Sequence, residues 1–167
     1  MTTSAPQTAT PPSRPIPSIF WGGLLAGIGD ITQAFLVFGL YGAKPFRILQ
    51  GIAGGIFGRA HAYQMGWVSA ALGLFLHFFI ATTAAAVYYI ASRLELSRLR
   101  SSVLLDRAVL CGLLYGEVVF LFMYFVVLPL SAVGPAKFTL PTYITGPIGH
   151  MFLVGLPISL SVSRFSR

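Results

Sequence analysis

This chain of 167 residues is 56% hydrophobic, and only 9% of its residues are charged. Ordinary soluble domains have roughly 25% charged residues, so the composition excludes a soluble enzyme and indicates an integral membrane protein. The net charge of +7 does not indicate nucleic-acid binding, because the basic residues lie beside apolar spans and do not form a stripe. The single cysteine, Cys111, excludes a disulfide framework within one chain.

The N-terminal segment, residues 1–18, consists mostly of Thr, Ser, Ala and Pro. It has too little apolar surface to fold, so we predict a disordered tail. The remaining residues, 19–167, predict one all-α domain that crosses the membrane as a compact bundle of four helices. The predicted transmembrane spans are residues 19–41, 66–92, 108–131 and 142–162.

The second span is the clearest, because it contains no Asp, Glu, Lys or Arg. A helix of its length extends about 40 Å, more than the roughly 30 Å of a bilayer's hydrocarbon core. Trp67 lies at one end and Tyr88 and Tyr89 at the other, which is typical of the two membrane interfaces. His77 lies at its centre and shares a helical face with small residues. We therefore expect His77 to face the bundle.

The first span carries Asp30 near its middle and Gln33 about one helical turn later. Gly23, Ala26 and Gly27 share the helical face of Asp30, whereas leucine, isoleucine and phenylalanine side chains lie opposite. Small residues allow neighbouring helices to approach closely. We therefore expect Asp30 to face the other helices and the bulky side chains to face lipid.

The third span contains Glu117 beside Gly112 and Gly116, whose spacing is the GxxxG pattern of closely packed membrane helices. Glu117 shares its face with larger side chains, so the pattern leaves its direction open.

Two prolines, Pro147 and Pro157, interrupt the fourth span, and each removes a backbone hydrogen bond and bends the helix. A helix that begins at Pro141 would place His150 close to the middle of the membrane. A helix that begins at Pro147 would place His150 near the interface. The sequence leaves both positions open.

The segment 44–64 follows the first span and is rich in glycine. It contains Arg47 and Arg59, so it is too short and too charged to cross a membrane. Pro45 is suited to the first turn of a helix, and we predict a short helix that lies at the interface. The alternative is a re-entrant loop, whose irregular backbone would need partners within the protein.

An even number of spans places both ends of the chain on one side of the membrane. The loops and termini on that side carry more basic residues than the opposite side. They are Arg14, Arg93, Arg98, Arg100, Arg107, Arg164 and Arg167, against Lys44, Arg47, Arg59 and Lys137. The positive-inside rule therefore predicts that both termini are cytoplasmic.

Short similarities link the two halves of the chain. The sequence GLLAG precedes Asp30 and GLLYG precedes Glu117, while His77 begins HFF and His150 begins HMF. These matches suggest that the bundle consists of two hairpin repeats that enter the membrane in the same direction. The alternative is four unrelated helices with chance matches among apolar residues.

Several short motifs follow one another between residues 112 and 150. They are GLLYG at 112–116, LPL at 128–130, the pairs Gly134-Pro135 and Leu140-Pro141, and Gly149-His150. Together with the histidine-centred second span, they resemble the YagU-type family of bacterial inner-membrane proteins. Glu117 and the segment 44–64 are not part of this pattern. The resemblance implies a bacterial inner-membrane location and a family without an established biochemical activity.

The candidate functional residues are the polar side chains within the spans: Asp30, Gln33, His77, Glu117 and His150. A charge in mid-bilayer costs about 3 kcal/mol or more, so such residues normally face a partner or water. Carboxylates and imidazoles can pass protons or bind ions. We therefore predict proton-linked transport, or transport of a small solute or ion, in which Asp30 and His77 lie within hydrogen-bonding or one-water distance.

Two other functions fit the same residues. In a structural or accessory membrane subunit, the polar side chains would only fix helix packing. A haem or metal site on His77 and His150 is a lesser alternative, because no CxxCH or HxxxH motif supports it. We predict no cofactor, no metal and, without GxSxG, P-loop or HExxH motifs, no catalytic residues or enzymatic activity. The predicted partners are the lipid bilayer and either a second copy or another membrane protein, and not nucleic acid.

Overall fold

The computed structural model of this protein describes residues 14–99, 101–135 and 140–166. Within these ranges the fold is all-α, and four helices are long and apolar enough to cross a membrane. The predicted four-helix bundle is therefore confirmed. In chain order the helices are α1 (Pro15–Leu40), α2 (Pro45–Phe57), α3 (Arg59–Gln64), α4 (Trp67–Leu99), α5 (Val103–Asp106), α6 (Ala108–Leu130) and α7, which comprises Leu140–Gly149, His150–Gly155 and Leu156–Phe165.

The start of α1 corrects the predicted tail. Most of that tail, residues 1–13, lies outside the described residues, but α1 already begins at Pro15. Proline is tolerated there because the first amides of a helix have no intrahelical partner. The Ser18 hydroxyl donates a hydrogen bond to the Arg14 carbonyl at 2.7 Å, and the Arg14 amide donates to the Phe165 carbonyl at 3.1 Å. The first bond stabilises the start of α1, and the second joins it to the end of α7.

The other spans agree with the sequence except at their ends. Helix α4 continues to Leu99, beyond the predicted end at residue 92, because Arg93 and Glu95 end the apolar run but still favour a helix. Helix α7 begins at Leu140 and has Pro147 inside it. The earlier of the two possible starts is therefore observed, and His150 lies well within the helix.

The segment 44–64 forms two helices, whereas one was predicted. Helices α2 and α3 meet at Gly58, where a positive φ of 77° turns the chain. The buried side chain of Gln50 on α2 donates hydrogen bonds to the Gly66 carbonyl at 3.0 Å and to the Ser69 hydroxyl at 3.2 Å. The two helices are thereby fixed to the start of α4, and their location at the interface stays a prediction.

Helix α1 packs against both α4 and α7, and α7 in turn packs against α6. The core between α1, α4 and α7 is built around Ala26, Ala85 and Ile158, none more than 1% exposed. Large apolar side chains cover the outer surface, as expected for contact with lipid. They include Leu25, Ile28, Phe75, Phe79 and Ile90.

Helices α6 and α7 approach so closely that side chains would not fit between them. A β-carbon on Gly116 would clash with the backbone of His150, and one on Gly155 would clash with the backbone of Gly112. The GxxxG pattern is therefore used for close packing, as predicted. The similarity between the α1–α4 pair and the α6–α7 pair, beyond their pairwise packing, stays a prediction.

Candidate functional site

The carboxylate of Asp30 lies between two imidazoles in the middle of the bundle. Its Oδ2 atom is 4.0 Å from Nδ1 of His77 on α4, and its Oδ1 atom is 3.8 Å from Nδ1 of His150 on α7. The predicted approach of Asp30 and His77 is confirmed, and His150 joins them from the opposite side. Both separations exceed a direct hydrogen bond but can be bridged by one water molecule.

Backbone carbonyls determine which ring nitrogen of each histidine is a donor. Nε2 of His77 lies 2.8 Å from the Gly27 carbonyl on α1, and Nδ1 of His150 lies 3.0 Å from the Gly146 carbonyl. A carbonyl oxygen can only accept, so these two nitrogens carry the hydrogen. In neutral His77 the unprotonated nitrogen is then Nδ1, the atom that faces Asp30. Asp30 and His77 can therefore hold a proton between them.

Gln33 extends the site by one turn of α1. Its Nε2 atom donates a hydrogen bond to the Thr145 carbonyl on α7 at 2.6 Å. This contact requires a glycine opposite, because a β-carbon at Gly149 would clash with the Gln33 side chain. Gln33 therefore points into the bundle, as Asp30 does, and joins α1 to α7 beside the charged cluster.

A cavity of about 810 Å³ leads to Asp30 from one end of the bundle. Along α1 it extends from Asp30 to Tyr41, roughly 16 Å at 1.5 Å per residue, and Arg59 of α3 also lines it. His150 lines the cavity, whereas His77 lies behind Asp30. The exposed fractions of the side chains follow this order: 27% for Asp30, 19% for His150 and 11% for His77.

On the other side of Asp30 the bundle is filled. The ring of Phe78 on α4 lies against Gly27, so close that a β-carbon there would contact it at 2.6 Å. Beyond it, Ala26, Ala85 and Ile158 are at most 1% exposed. The site can therefore be reached from the α2–α3 end of the bundle and is closed toward the end that carries the start of α1.

Two π-helical segments flank the cavity and place His150. They are Met123–Val127 in α6 and His150–Gly155 in α7. Each is followed by a proline, Pro129 or Pro157, whose missing amide leaves a carbonyl one turn earlier without its α-helical partner. In α7 the Leu153 carbonyl points at α1, 3.0 Å from where a β-carbon on Gly29 would lie. π-Helical turns are frequent at functional sites.

Glu117, the remaining predicted site residue, does not join the cluster. It forms no ion pair with either histidine within the described ranges, and its Oε2 atom is buried without a hydrogen-bond partner. Its neighbour Gly116, and not Glu117 itself, meets the backbone of His150.

No group of three or more His, Cys, Asp and Glu residues in the described part of the chain could hold a metal ion. The haem or metal site on His77 and His150 therefore stays an alternative that only the sequence suggests.

The sequence did not predict two features of the site. The sequence predicts Arg59 in an interfacial segment, whereas α3 places this residue at the cavity. The π-helical segments were also missed, although the prolines in the third and fourth spans were a signal that backbone carbonyls there would lack partners.

Comparison with protein-family models, curated proteins and solved structures found no match for this chain. The resemblance to the YagU-type family therefore stays a prediction.

Proposed function

We propose that this protein is a proton-linked carrier of a small solute or ion and has no enzymatic activity. The observation that supports this proposal most strongly is the position of Asp30, within 4.0 Å of His77 and 3.8 Å of His150. Three titratable groups on three helices form one cluster inside a membrane bundle. Intramembrane clusters of this kind commonly serve proton relays and ion pathways.

Protonation of the cluster changes the attraction between helices. An ionised Asp30 attracts a protonated His77 or His150, and so draws α1 toward α4 and α7. A proton on Asp30 removes that attraction while the carbonyl hydrogen bonds of both histidines remain. The proton can therefore bias the packing of α1 against α4 and α7.

The one-sided cavity supports a carrier over an open channel. Its volume of about 810 Å³ lies within the range of small-molecule pockets, and Asp30 lies at its inner end. The packed core around Ala26 and Ile158 separates Asp30 from the other end. Carriers expose their central site to one side of the membrane at a time. The π-helical segments and their prolines supply places where α6 and α7 can bend.

The charge distribution supports an orientation in which the cavity faces outward. The end opposite the cavity carries more of the described basic residues: Arg14, Arg93, Arg98, Arg107 and Arg164, against Lys44, Arg47 and Arg59 at the cavity end. The positive-inside rule therefore favours cytoplasmic termini. The resemblance to YagU-type proteins favours the bacterial inner membrane, where the cavity would open to the periplasm.

A structural or accessory subunit is the second candidate, because two of the polar residues join helices directly. His77 donates to Gly27 across α4 and α1, and Gln33 donates to Thr145 across α1 and α7. Such hydrogen bonds stabilise membrane bundles without any transport. In that case the charge of Asp30 would have no effect on access to the cavity.

Cavity access can be tested without knowledge of the solute. A cysteine replaces Val37, which lines the cavity, in a Cys111→Ser background, and a membrane-impermeant thiol reagent is added from the cavity side at several pH values. The exposed Ala60 on α3, also replaced by cysteine, corrects for the reactivity of the thiol itself. A carrier predicts that the rate at position 37 relative to position 60 changes severalfold with pH. A constant ratio would contradict the proposal.

A further inference from the structure

A groove separate from the Asp30 cavity lies on the outer surface of the bundle, where the start of α6 packs beside the end of α7. It has a volume of about 780 Å³, and Arg107, Arg164, Leu110, Leu113 and Leu160 are among its lining residues. The two helices are antiparallel neighbours, so both arginines lie at the same end of the bundle. The groove therefore has a basic end and an apolar wall.

The basic end is fixed by contacts between α5, α6 and α7. The Ser163 hydroxyl on α7 donates a hydrogen bond to the Leu105 carbonyl on α5 at 3.0 Å. Arg107 follows α5 in the chain and is the N-cap residue of α6. Its side chain forms no capping hydrogen bond with the first turn of α6. The first amides of a helix carry partial positive charge and lack intrahelical partners. An anion at this end would thus meet the helix terminus as well as the guanidinium groups.

The charges of the groove are net positive. Arg107 and Arg164 contribute two positive charges, and Asp106 contributes one negative charge. The ion pairs found within the described ranges belong to Asp30 and do not include either guanidinium group. Both arginine side chains are exposed, so a ligand from outside the bundle can reach them.

The wall of the groove faces outward from a transmembrane helix pair. Leu110 is 52% exposed and Leu160 is 45% exposed, and both belong to spans long enough to cross a bilayer. Side chains at such positions contact the acyl chains of lipids. The basic end lies where the spans end, which is the level of lipid headgroups.

We propose that this groove binds one anionic phospholipid, with its phosphate at Arg107 and Arg164 and an acyl chain along Leu110 and Leu160. Guanidinium groups suit phosphate because they offer several donors in one plane. Basic pockets between transmembrane helices on the cytoplasmic side are common sites for anionic headgroups. The site depends on membrane insertion and not on transport through the Asp30 cavity.

The test compares phosphatidylglycerol and phosphatidylcholine with identical acyl chains. Each lipid is titrated into the purified full chain in a zwitterionic detergent, and bound lipid is counted by native mass spectrometry. We expect preferential binding of phosphatidylglycerol, and a loss of about tenfold in affinity when Arg107→Gln and Arg164→Gln are combined. Equal binding of phosphatidylglycerol by the wild type and this double variant would overturn the proposal.

A matched control removes two other arginines from the same end of the molecule. Arg14→Gln combined with Arg98→Gln has the same net charge, and both side chains are exposed and lie outside the groove lining. It should keep the affinity for phosphatidylglycerol. Inorganic phosphate is the second probe. Weak competition with phosphatidylglycerol supports a lipid site. Full displacement of phosphatidylglycerol at millimolar phosphate would show an anion site in which the acyl chain has no role, and would overturn the lipid assignment. Thermal unfolding in phosphatidylcholine checks that the variants fold.

Discussion

Asp30 on α1 and His77 on α4 face each other across 4.0 Å, and the other nitrogen of the His77 ring is bound to the backbone of α1 itself. His77 is therefore held by one helix at two points, the Gly27 carbonyl and the Asp30 carboxylate. The carbonyl bond is fixed, while the interaction with the carboxylate depends on protons. This arrangement separates the structural contribution of His77 from its proposed role in transport.

The hydrogen bond between His77 and the Gly27 carbonyl predicts that the His77→Ala variant is less stable than the wild type. The variant leaves the Gly27 carbonyl without its donor, so the free energy of unfolding should fall by about 1 kcal/mol. His61→Ala is the control, because His61 is exposed on α3, and its removal should have a smaller effect. Thermal unfolding of both variants in the same detergent makes the comparison. Equal melting temperatures would mean that the His77 bond does not stabilise the bundle.

The close contact of Gln33 with Gly149 predicts the effect of a single methyl group. Gly149→Ala places a β-carbon against the end of the Gln33 side chain, which must then move and give up its hydrogen bond to the Thr145 carbonyl, so the protein should lose about 1 kcal/mol of stability. Gly39→Ala on α1 adds the same methyl group where no atom lies within 4 Å, and should be neutral or slightly stabilising. Unfolding curves measure both. A tolerated Gly149→Ala would show that Gln33 can move aside and that its bond to Thr145 does not stabilise the bundle.

The one-sided cavity predicts which positions of α1 react with water-soluble reagents. In a Cys111→Ser background at neutral pH, Val37→Cys should label from the cavity side because Val37 lines the cavity. Ser18→Cys, on the same helix but fully buried at the closed end, should be protected from either side. Labelling of right-side-out and inverted vesicles distinguishes the two sides. If the reagent labelled Ser18→Cys and not Val37→Cys, the cavity would open at the end that carries the start of α1, which would contradict this prediction.

The orientation of the bundle predicts the activity of reporter fusions. A reporter attached after Arg167 should be active only as a cytoplasmic reporter, because the end that carries both termini is the more basic one. A reporter inserted at Gly42, in the exposed turn between α1 and α2, should be active only as a periplasmic reporter. The reverse pattern of reporter activity would show that the bundle has the opposite orientation, with the cavity open to the cytoplasm.

The sequence was sufficient to predict the spans and the pairing of Asp30 with His77. Both residues share a helical face with small side chains, and a helix with one small-residue face has a clear inward direction. The depth of His150 could not be predicted, because it depends on whether the helix continues through Pro147. That choice is made by packing against α6, where Gly116 meets the backbone of His150.

Glu117 shows the limit of the same reasoning. It is an acid beside a GxxxG pair in an apolar span, yet the pattern predicts only that α6 packs closely and not which acid meets a histidine. The glycines themselves contact α7, and Glu117 lies beside that contact. The π-helical segments depend on bonds between residues five apart and on tertiary contacts, which periodicity does not report.

The most direct test of the proposed proton linkage is the effect of Asp30→Asn on cavity access. Asparagine keeps the size and hydrogen-bonding capacity of the side chain but cannot bind or release a proton at this position. In the Val37→Cys labelling assay, normalised to Ala60→Cys, we predict that Asp30→Asn makes the relative rate the same at every pH. Glu117→Gln, which removes an intramembrane acid outside the cluster, should retain the pH dependence. A folded Asp30→Asn variant with the full pH dependence of the wild type would contradict the central role of Asp30.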